Sequence, residues 1–271
     1  MARSARKKLT LPDLAAMKAR GRPIAMLTAY DASFARLLDQ AEVDCVLVGD
    51  SLGNVIQGCD STLPVTVDDM VYHVEAVRRG LEGAWLVADL PFLSYHDRAS
   101  ALSSAGRLMR AGAEMVKLEG GASVASVVHE LVLQGIPVCG HLGLTPQHVH
   151  QIGGYRVQGY DELLAQKLRE DALALEAAGA TLLVLECVPS ALAASVRDAA
   201  CIPVIGIGAG VDVDGQVLVI YDVLGISGGH APRFVKNFMA ETDSIEGALS
   251  AFVKAVRERR FPGPEHSYSG P

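Results

Sequence analysis

Eight short apolar runs, separated by longer stretches, constrain the fold of this chain more than any other feature. The runs are IAMLTA (24–29), DCVLVG (44–49), WLVAD (85–89), EMVKLE (114–119), PVCGHL (137–142), TLLVLE (181–186), IPVIGIG (202–208) and QVLVI (216–220). Most are rich in Val, Ile and Leu and are too short for helices. They are therefore typical of strands that are buried on both faces of a parallel sheet.

Several of the intervening stretches have helical periodicity and consist of helix-forming residues. They include 32–41, 99–112 and 161–180, and glycines stand near the ends of the last two, as at a helix C-cap. A capping-box pattern at Thr10–Asp13 predicts a further short helix before the first strand.

Strands that alternate with helices over 271 residues predict a (βα)8 barrel, which needs about 250 residues. A doubly wound open sheet is the structural alternative. We expect one barrel domain over 9–261, a basic N-terminal tail over 1–8 and a C-terminal tail over 262–271.

The composition excludes some classes of function. With 24 Lys and Arg against 31 Asp and Glu, the chain lacks the basic balance of a nucleic-acid-binding protein. No apolar run approaches the ~18 residues of a membrane span, so we expect no membrane association. Five cysteines without a CxxC pattern indicate reduced thiols in a cytosolic protein.

Five successive strands each end with an ionisable residue: Asp50, Asp89, Glu119, His141 and Glu186. The carboxyl ends of barrel strands form the rim where active sites lie. A single acid there could simply cap the next helix. Five in succession, after such apolar strands, favour a functional rim.

Three of these acids, Asp50, Asp89 and Glu119, come from neighbouring strands and could converge. Hard oxygen ligands without a nearby His or Cys favour Mg²⁺ over zinc. His148 and His150 lie in a Gly-rich loop and are interpreted as surface or lid residues.

Lys117 should share the inward strand face with Glu119, because the two are two residues apart. Lys117 could be a Schiff-base nucleophile, a cation for a substrate carboxylate or a structural ion-pair partner. Neighbouring acids disfavour the nucleophile, because they keep the ammonium group charged. Glu186 follows an apolar strand, where burial would raise its pKa and suit a general base.

Two Gly-rich connections, 51–66 and 143–160, are long enough to be lids at the catalytic face or ordinary surface loops. The segment GIGAG (206–210) could bind an anion through its backbone N–H groups or form a tight turn.

At these residues the sequence resembles the ketopantoate hydroxymethyltransferase family, from about residue 9 to 268. The resembling phrases are LTAYD (27–31), VLVGDSLGNVIQG (46–58), DSTLPVT (60–66), VADLPF (87–92), MVKLEGG (115–121), VCGHLGLTPQ (138–147), GGYRVQG (153–159), LLVLECVP (182–189), IPVIGIGAG (202–210) and FPGPEHSY (261–268). VGDSLG together with CGHLGLTPQ is highly specific for the family.

The resemblance implies a (βα)8 barrel of the phosphoenolpyruvate/pyruvate type, in a cytoplasmic homo-oligomer that is typically a decamer. It implies hydroxymethyl transfer from 5,10-methylenetetrahydrofolate to 3-methyl-2-oxobutanoate, giving 2-dehydropantoate in pantothenate and coenzyme A biosynthesis. It also implies site residues: Mg²⁺ at Asp50, Asp89 and Glu119, the oxoacid at Asp50, Ser51, Asp89 and Lys117, and the proton acceptor at Glu186.

Two other functions stay open at this point. One is a Mg²⁺-dependent C–C lyase or aldolase that acts on a small 2-oxoacid with a different electrophile and no folate. The other is an oxoacid-binding sensor without catalysis. The intact Glu186 argues against a sensor, because binding alone needs no base.

Overall fold

Eight parallel strands close into one barrel in the computed structural model, which describes residues 7–228 and 231–270. The strands follow one another in chain order, and the eighth pairs with the first. The predicted (βα)8 barrel is confirmed, and closure rules out the open sheet. Residues 1–6 of the predicted N-terminal tail, and residue 271 of the C-terminal one, lie outside the described residues.

All of the predicted apolar runs contain a strand. The strands are β1 (Ile24–Thr28), β2 (Cys45–Val48), β3 (Trp85–Asp89), β4 (Met115–Glu119), β5 (Val138–Gly143), β6 (Leu182–Glu186), β7 (Val204–Ile207) and β8 (Gly215–Leu218). The last run differs most from its prediction, because its residue Ile220 begins a helix instead of ending the strand.

One helix precedes β1, helices follow most strands, and the longer of these cover the outside of the barrel. They are α1 (Leu11–Ala19), α2 (Ala32–Gln40), α3 (Leu52–Val55), α4 (Val67–Arg78), α5 (Arg98–Ala111), α6 (Ala125–Leu133), α7 (Val149–Ile152), α8 (Glu162–Ala177), α9 (Ser190–Ala199), α10 (Ile220–Val223) and α11 (Ile245–Arg257). None of these helices combines the length and the apolar composition that crossing a bilayer requires.

The helix ends agree with the chemistry of the sequence. The Asp13 carboxylate accepts hydrogen bonds from the Thr10 backbone N–H and hydroxyl, so the predicted cap of α1 is present. Gly112 ends α5 in the left-handed conformation, with a φ of 113° that suits glycine. Gly179 has a φ of 102° and lies just beyond the end of α8.

Side chains at alternate strand positions fill the barrel in layers. Its lower interior is apolar and includes Met26, Trp85 and Met115. The intervening positions, such as Leu27 and Val46, join the core between the strands and the helices. The same alternation turns the charged residues at the carboxyl ends of β3 to β6 inward.

Helix α1 seals the N-terminal end of the barrel. Leu14 is fully buried and Met17 nearly so, and both pack into the apolar interior cluster with Ile24 and Trp85. The inward-facing charged side chains at the carboxyl ends of β3 to β6 therefore have an apolar layer beneath them.

The C-terminal segment, predicted as a tail, packs back on the barrel. The carbonyl of Tyr268 accepts a hydrogen bond of 2.9 Å from the backbone N–H of Ser190. A Cβ on Gly208 would lie 3.1 Å from the Tyr268 ring, so the two are in close contact. Tyr268 thus stands beside the carboxyl ends of β6 and β7.

We expect Leu14→Ala to lower the free energy of unfolding by about 2–5 kcal/mol, because it leaves a cavity under the barrel. Urea unfolding followed by circular dichroism measures this change. The matched control is Leu133→Ala, at an exposed position on α6, which should change stability by no more than about 0.5 kcal/mol. Equal effects of the two substitutions would contradict the sealing role of α1.

Candidate functional site

A cavity of about 810 Å³ opens at the carboxyl ends of the strands. It is lined by all of the predicted site residues and by the remaining ionisable residue of the rim: Asp50, Ser51, Asp89, Lys117, Glu119, His141 and Glu186. The structure therefore brings together the side chains that the sequence pattern placed on one rim.

The register of the strands places opposite charges side by side. Asp89 is aligned with Lys117, and the Lys117 Nζ lies 2.8 Å from the Asp89 Oδ1. On the next strand pair, Glu119 is aligned with His141, whose Nδ1 lies 3.3 Å from the Glu119 Oε1. All four side chains are buried, so these pairs form in a medium that screens charge weakly.

Lys117 is held in its charged form. Burial by itself would lower the pKa of its ammonium group, but Asp89, Glu119 and Asp50 outweigh burial and raise that pKa above its usual value. A protonated amine is not a nucleophile. The arrangement thus favours a cation for an anionic ligand over a Schiff-base lysine.

His141 stands between two carboxylates. Its Nε2 lies 3.2 Å from the Glu186 Oε2, while its Nδ1 faces Glu119 on the other side. Burial and the nearby Lys117 would lower the pKa of the imidazole, but Glu119 and Glu186 raise it to about 9. His141 therefore lies between Glu119 and Glu186, with the Lys117 Nζ 3.3 Å from its Nδ1.

The surroundings of Asp50 disfavour its negative charge. Burial, followed by the charges of Asp89 and Glu119, raises the pKa of its carboxyl well above the ordinary value. For Glu119, burial would raise the pKa, but His141 and Lys117 lower it overall. The carboxylates of the rim outnumber the cations that face them.

By the chemical type of its donors, though not by their present arrangement, the set of acids suits a hard divalent cation. Buried carboxylate oxygens that repel one another are stabilised by such an ion, and oxygen donors suit Mg²⁺. In residues 7–228 and 231–270, no group of three or more His, Cys, Asp or Glu side chains is arranged so that it could hold a metal ion. Instead, Asp89 and Glu119 are engaged with Lys117 and His141.

Ser51 is held in place by a residue that the sequence pattern did not single out. The Tyr30 hydroxyl lies 2.9 Å from the Ser51 Oγ, within hydrogen-bond distance. Tyr30 is itself stacked on Tyr221, with ring centroids 5.9 Å apart. The only sequence signal for Tyr30 was its place in LTAYD, directly after a strand.

Both Gly-rich connections line the cavity, so their predicted position at the open face is confirmed. The first supplies Asn54 and Thr62, and the second supplies Tyr155 and Arg156. Whether they close as lids stays a prediction. In GIGAG, Gly208 has a φ of 62° and packs against aromatic rings, which is the geometry of a tight turn.

The two histidines of the second loop differ in position. His148 is partly exposed, and its Nδ1 lies 3.9 Å from the Glu119 Oε2. His150 is exposed. The interpretation as surface or lid residues holds for His150, whereas His148 comes closer to the buried acids than the loop pattern indicates.

The family model for ketopantoate hydroxymethyltransferase matches residues 8–264. The chain is 55% identical over 260 residues to 3-methyl-2-oxobutanoate hydroxymethyltransferase of Marinobacter nauticus, covering 96% of this chain and 98% of that protein. It is 57% identical over 262 residues to 3-methyl-2-oxobutanoate hydroxymethyltransferase 2 of Pseudomonas fluorescens, covering 96% of this chain and 98% of that protein.

Among solved structures, the fold resembles that of phosphonopyruvate hydrolase in complex with oxalate and Mg²⁺. The TM-score is 0.60 at 12% identity, over 92% of this chain and 96% of that one. This likeness shows the fold alone. The family model and the relatives agree along nearly the whole length, and the chain therefore belongs to the ketopantoate hydroxymethyltransferase family.

Proposed function

We propose that the protein transfers a hydroxymethyl group from 5,10-methylenetetrahydrofolate to 3-methyl-2-oxobutanoate. The product is 2-dehydropantoate, an intermediate of pantothenate and coenzyme A biosynthesis. One observation carries the proposal: in a member of this family, a single cavity gathers the three acids, the buried lysine and the further glutamate that this chemistry needs. The relatives' names support the same reaction.

We assign the metal site of the reaction to Asp50, Asp89 and Glu119. Mg²⁺ bound there would act as a Lewis acid toward the 2-oxo group of the substrate. Two observations support this assignment: the raised pKa of Asp50, which reflects uncompensated buried charge, and the oxalate and Mg²⁺ of phosphonopyruvate hydrolase, a protein of similar fold.

The oxoacid is bound by Asp50, Ser51, Asp89 and Lys117 in this proposal. Lys117 keeps its charge and can hold the substrate carboxylate through a charge-assisted hydrogen bond. Ser51 supplies a hydroxyl group that Tyr30 orients. Asp89 contributes by fixing the Lys117 ammonium group.

Glu186 is the proposed general base that removes the proton from C3 of the oxoacid. Its carboxylate lines the same cavity, but it belongs to β6, which carries none of the three acids assigned to the metal. A base that is not a metal ligand keeps its lone pairs available for the proton. The substrate carbanion can then form the new C–C bond to the methylene carbon, whose bonds to the folate nitrogens break to release tetrahydrofolate. One water molecule supplies the oxygen of the transferred hydroxymethyl group.

The cavity, the cysteines and the family resemblance bear on folate binding, location and assembly. The cavity is large enough for part of a folate beside the small oxoacid. All five cysteines are free thiols, which supports a cytoplasmic protein. A homo-oligomer, typically a decamer, is proposed from the family resemblance alone.

Metal removal tests the assigned ligands. We expect EDTA to abolish turnover and Mg²⁺ to restore it, because the three carboxylates alone offer no Lewis acid. Asp89→Asn should weaken Mg²⁺ affinity and turnover together, whereas the same change at the exposed Asp243 should alter neither. Isothermal titration with Mg²⁺ and product assays measure both effects. Full turnover by exhaustively metal-free protein would remove the metal from the proposal.

Glu186→Gln keeps the size of the side chain and removes the proton acceptor. We expect exchange of the C3 proton of 3-methyl-2-oxobutanoate with D₂O to slow by about 10²–10⁴-fold. Nuclear magnetic resonance with Mg²⁺ present follows this exchange. The oxoacid should still bind with near-parental affinity, because Asp50, Ser51 and Lys117 are unchanged.

Glu82→Gln, at an exposed position, is the matched control and should exchange at the parental rate. If Glu186→Gln also exchanges at the parental rate, Glu186 is not the base. His141, whose Nε2 faces Glu186, is then the next candidate.

A further inference from the structure

The buried residue Gln147 joins groups at the carboxyl ends of three strands, partly through its side chain and partly through its backbone N–H. It lies beyond β5, in the 3₁₀ turn Pro146–His148, and is only 4% exposed. Its Nε2 donates to the Asp50 Oδ2 at 2.8 Å and to the Leu90 carbonyl at 3.0 Å. Its backbone N–H donates to the Glu119 Oε2 at 3.0 Å. One residue thus contacts two of the acids assigned to the metal.

The network fixes which way the Gln147 amide points. The Tyr95 hydroxyl lies 2.6 Å from the Oε1 and donates to it, while accepting the backbone N–H of Glu119 at 3.3 Å. The Nε2 faces a carboxylate and a carbonyl, which can only accept. The reversed amide would place oxygen against oxygen on that side, so a single orientation satisfies all partners.

We propose that Gln147 is a positioning residue that sets the orientation of Asp50 and Glu119 for the divalent cation, with Tyr95 locking its amide. This inference rests on the metal site of the proposed function. The side-chain amide of Gln147 donates a hydrogen bond to the Oδ2 of Asp50, and its backbone N–H donates one to the Oε2 of Glu119. One oxygen of each carboxylate is thereby held by Gln147, while the Oε1 of Glu119 lies 3.3 Å from the His141 Nδ1.

Holding the two carboxylates in one orientation has a predictable effect on metal affinity. A free carboxylate rotates about its last bond, and a ligand that must be ordered on binding costs conformational entropy. Partners that hydrogen-bond to metal ligands typically contribute about 10–100-fold in affinity. Gln147 is the last residue of the motif CGHLGLTPQ (139–147). The proposed reaction assigns this residue no role.

The test is titration of metal-free protein with Mn²⁺ alone, followed by electron paramagnetic resonance of the free ion. We expect Gln147→Met to bind Mn²⁺ about 10–100-fold more weakly than the parent. Methionine has a similar length, and the backbone N–H to Glu119 remains. The matched control is Gln151→Met, the same change at an exposed position of α7, which should bind like the parent.

Thermal unfolding of the metal-free proteins separates positioning from stability. A merely structural role would lower the unfolding midpoint and leave the Mn²⁺ affinity of the folded protein unchanged. Parental affinity in Gln147→Met would overturn the inference while leaving the metal site intact. Failure of the parent itself to bind Mn²⁺ would overturn the metal site of the proposed function and this inference with it.

A second variant covers the case in which Gln147→Met does not fold. Tyr95→Phe removes the hydroxyl group that locks the Gln147 amide and retains the ring. We expect a smaller loss of Mn²⁺ affinity in the same direction. Unchanged affinity in this variant would overturn the role of Tyr95 as the lock.

Discussion

Closure of the barrel in a fixed register decides which charged side chains meet. Asp89 lies beside Lys117, and Glu119 beside His141, because their strands are paired at those residues. Alternation turns these side chains into the barrel, above an apolar interior that α1 seals from below. These charged side chains are largely shielded from water, so each charge must be offset by opposite charges or hydrogen bonds from its neighbours. The remaining chemistry of the site depends on this compensation.

The two cations do not offset all of the buried acids, and we expect ligands to bind where negative charge is left over. Lys117 and His141 offset Asp89 and Glu119, but burial and the neighbouring acids still raise the pKa of Asp50. A divalent cation would relieve that repulsion, and an anionic substrate would find the Lys117 ammonium group charged. Burying these charges would be costly if they served only to stabilise the fold. Binding of ligands with the opposite charge explains why they are buried.

The sequence predicts the barrel and the rim well, because both follow from local pattern. Apolar runs identify the strands, and a residue at the carboxyl end of a strand, such as Asp50 or Glu186, must lie at the rim. Gln147 and Tyr268 could not be placed in this way. Gln147 lies in an irregular turn beyond its strand, and Tyr268 reaches the site through a contact between distant parts of the chain. Their positions depend on tertiary packing that no periodicity encodes.

The most direct measurement of the proposed function is product formation by the purified protein with one component omitted at a time. We expect 2-dehydropantoate only when 3-methyl-2-oxobutanoate, 5,10-methylenetetrahydrofolate and Mg²⁺ are all present. Chromatography with mass detection identifies the product. C–C bond cleavage that releases a small oxoacid without any tetrahydrofolate would contradict the account and favour a Mg²⁺-dependent lyase or aldolase on the same barrel.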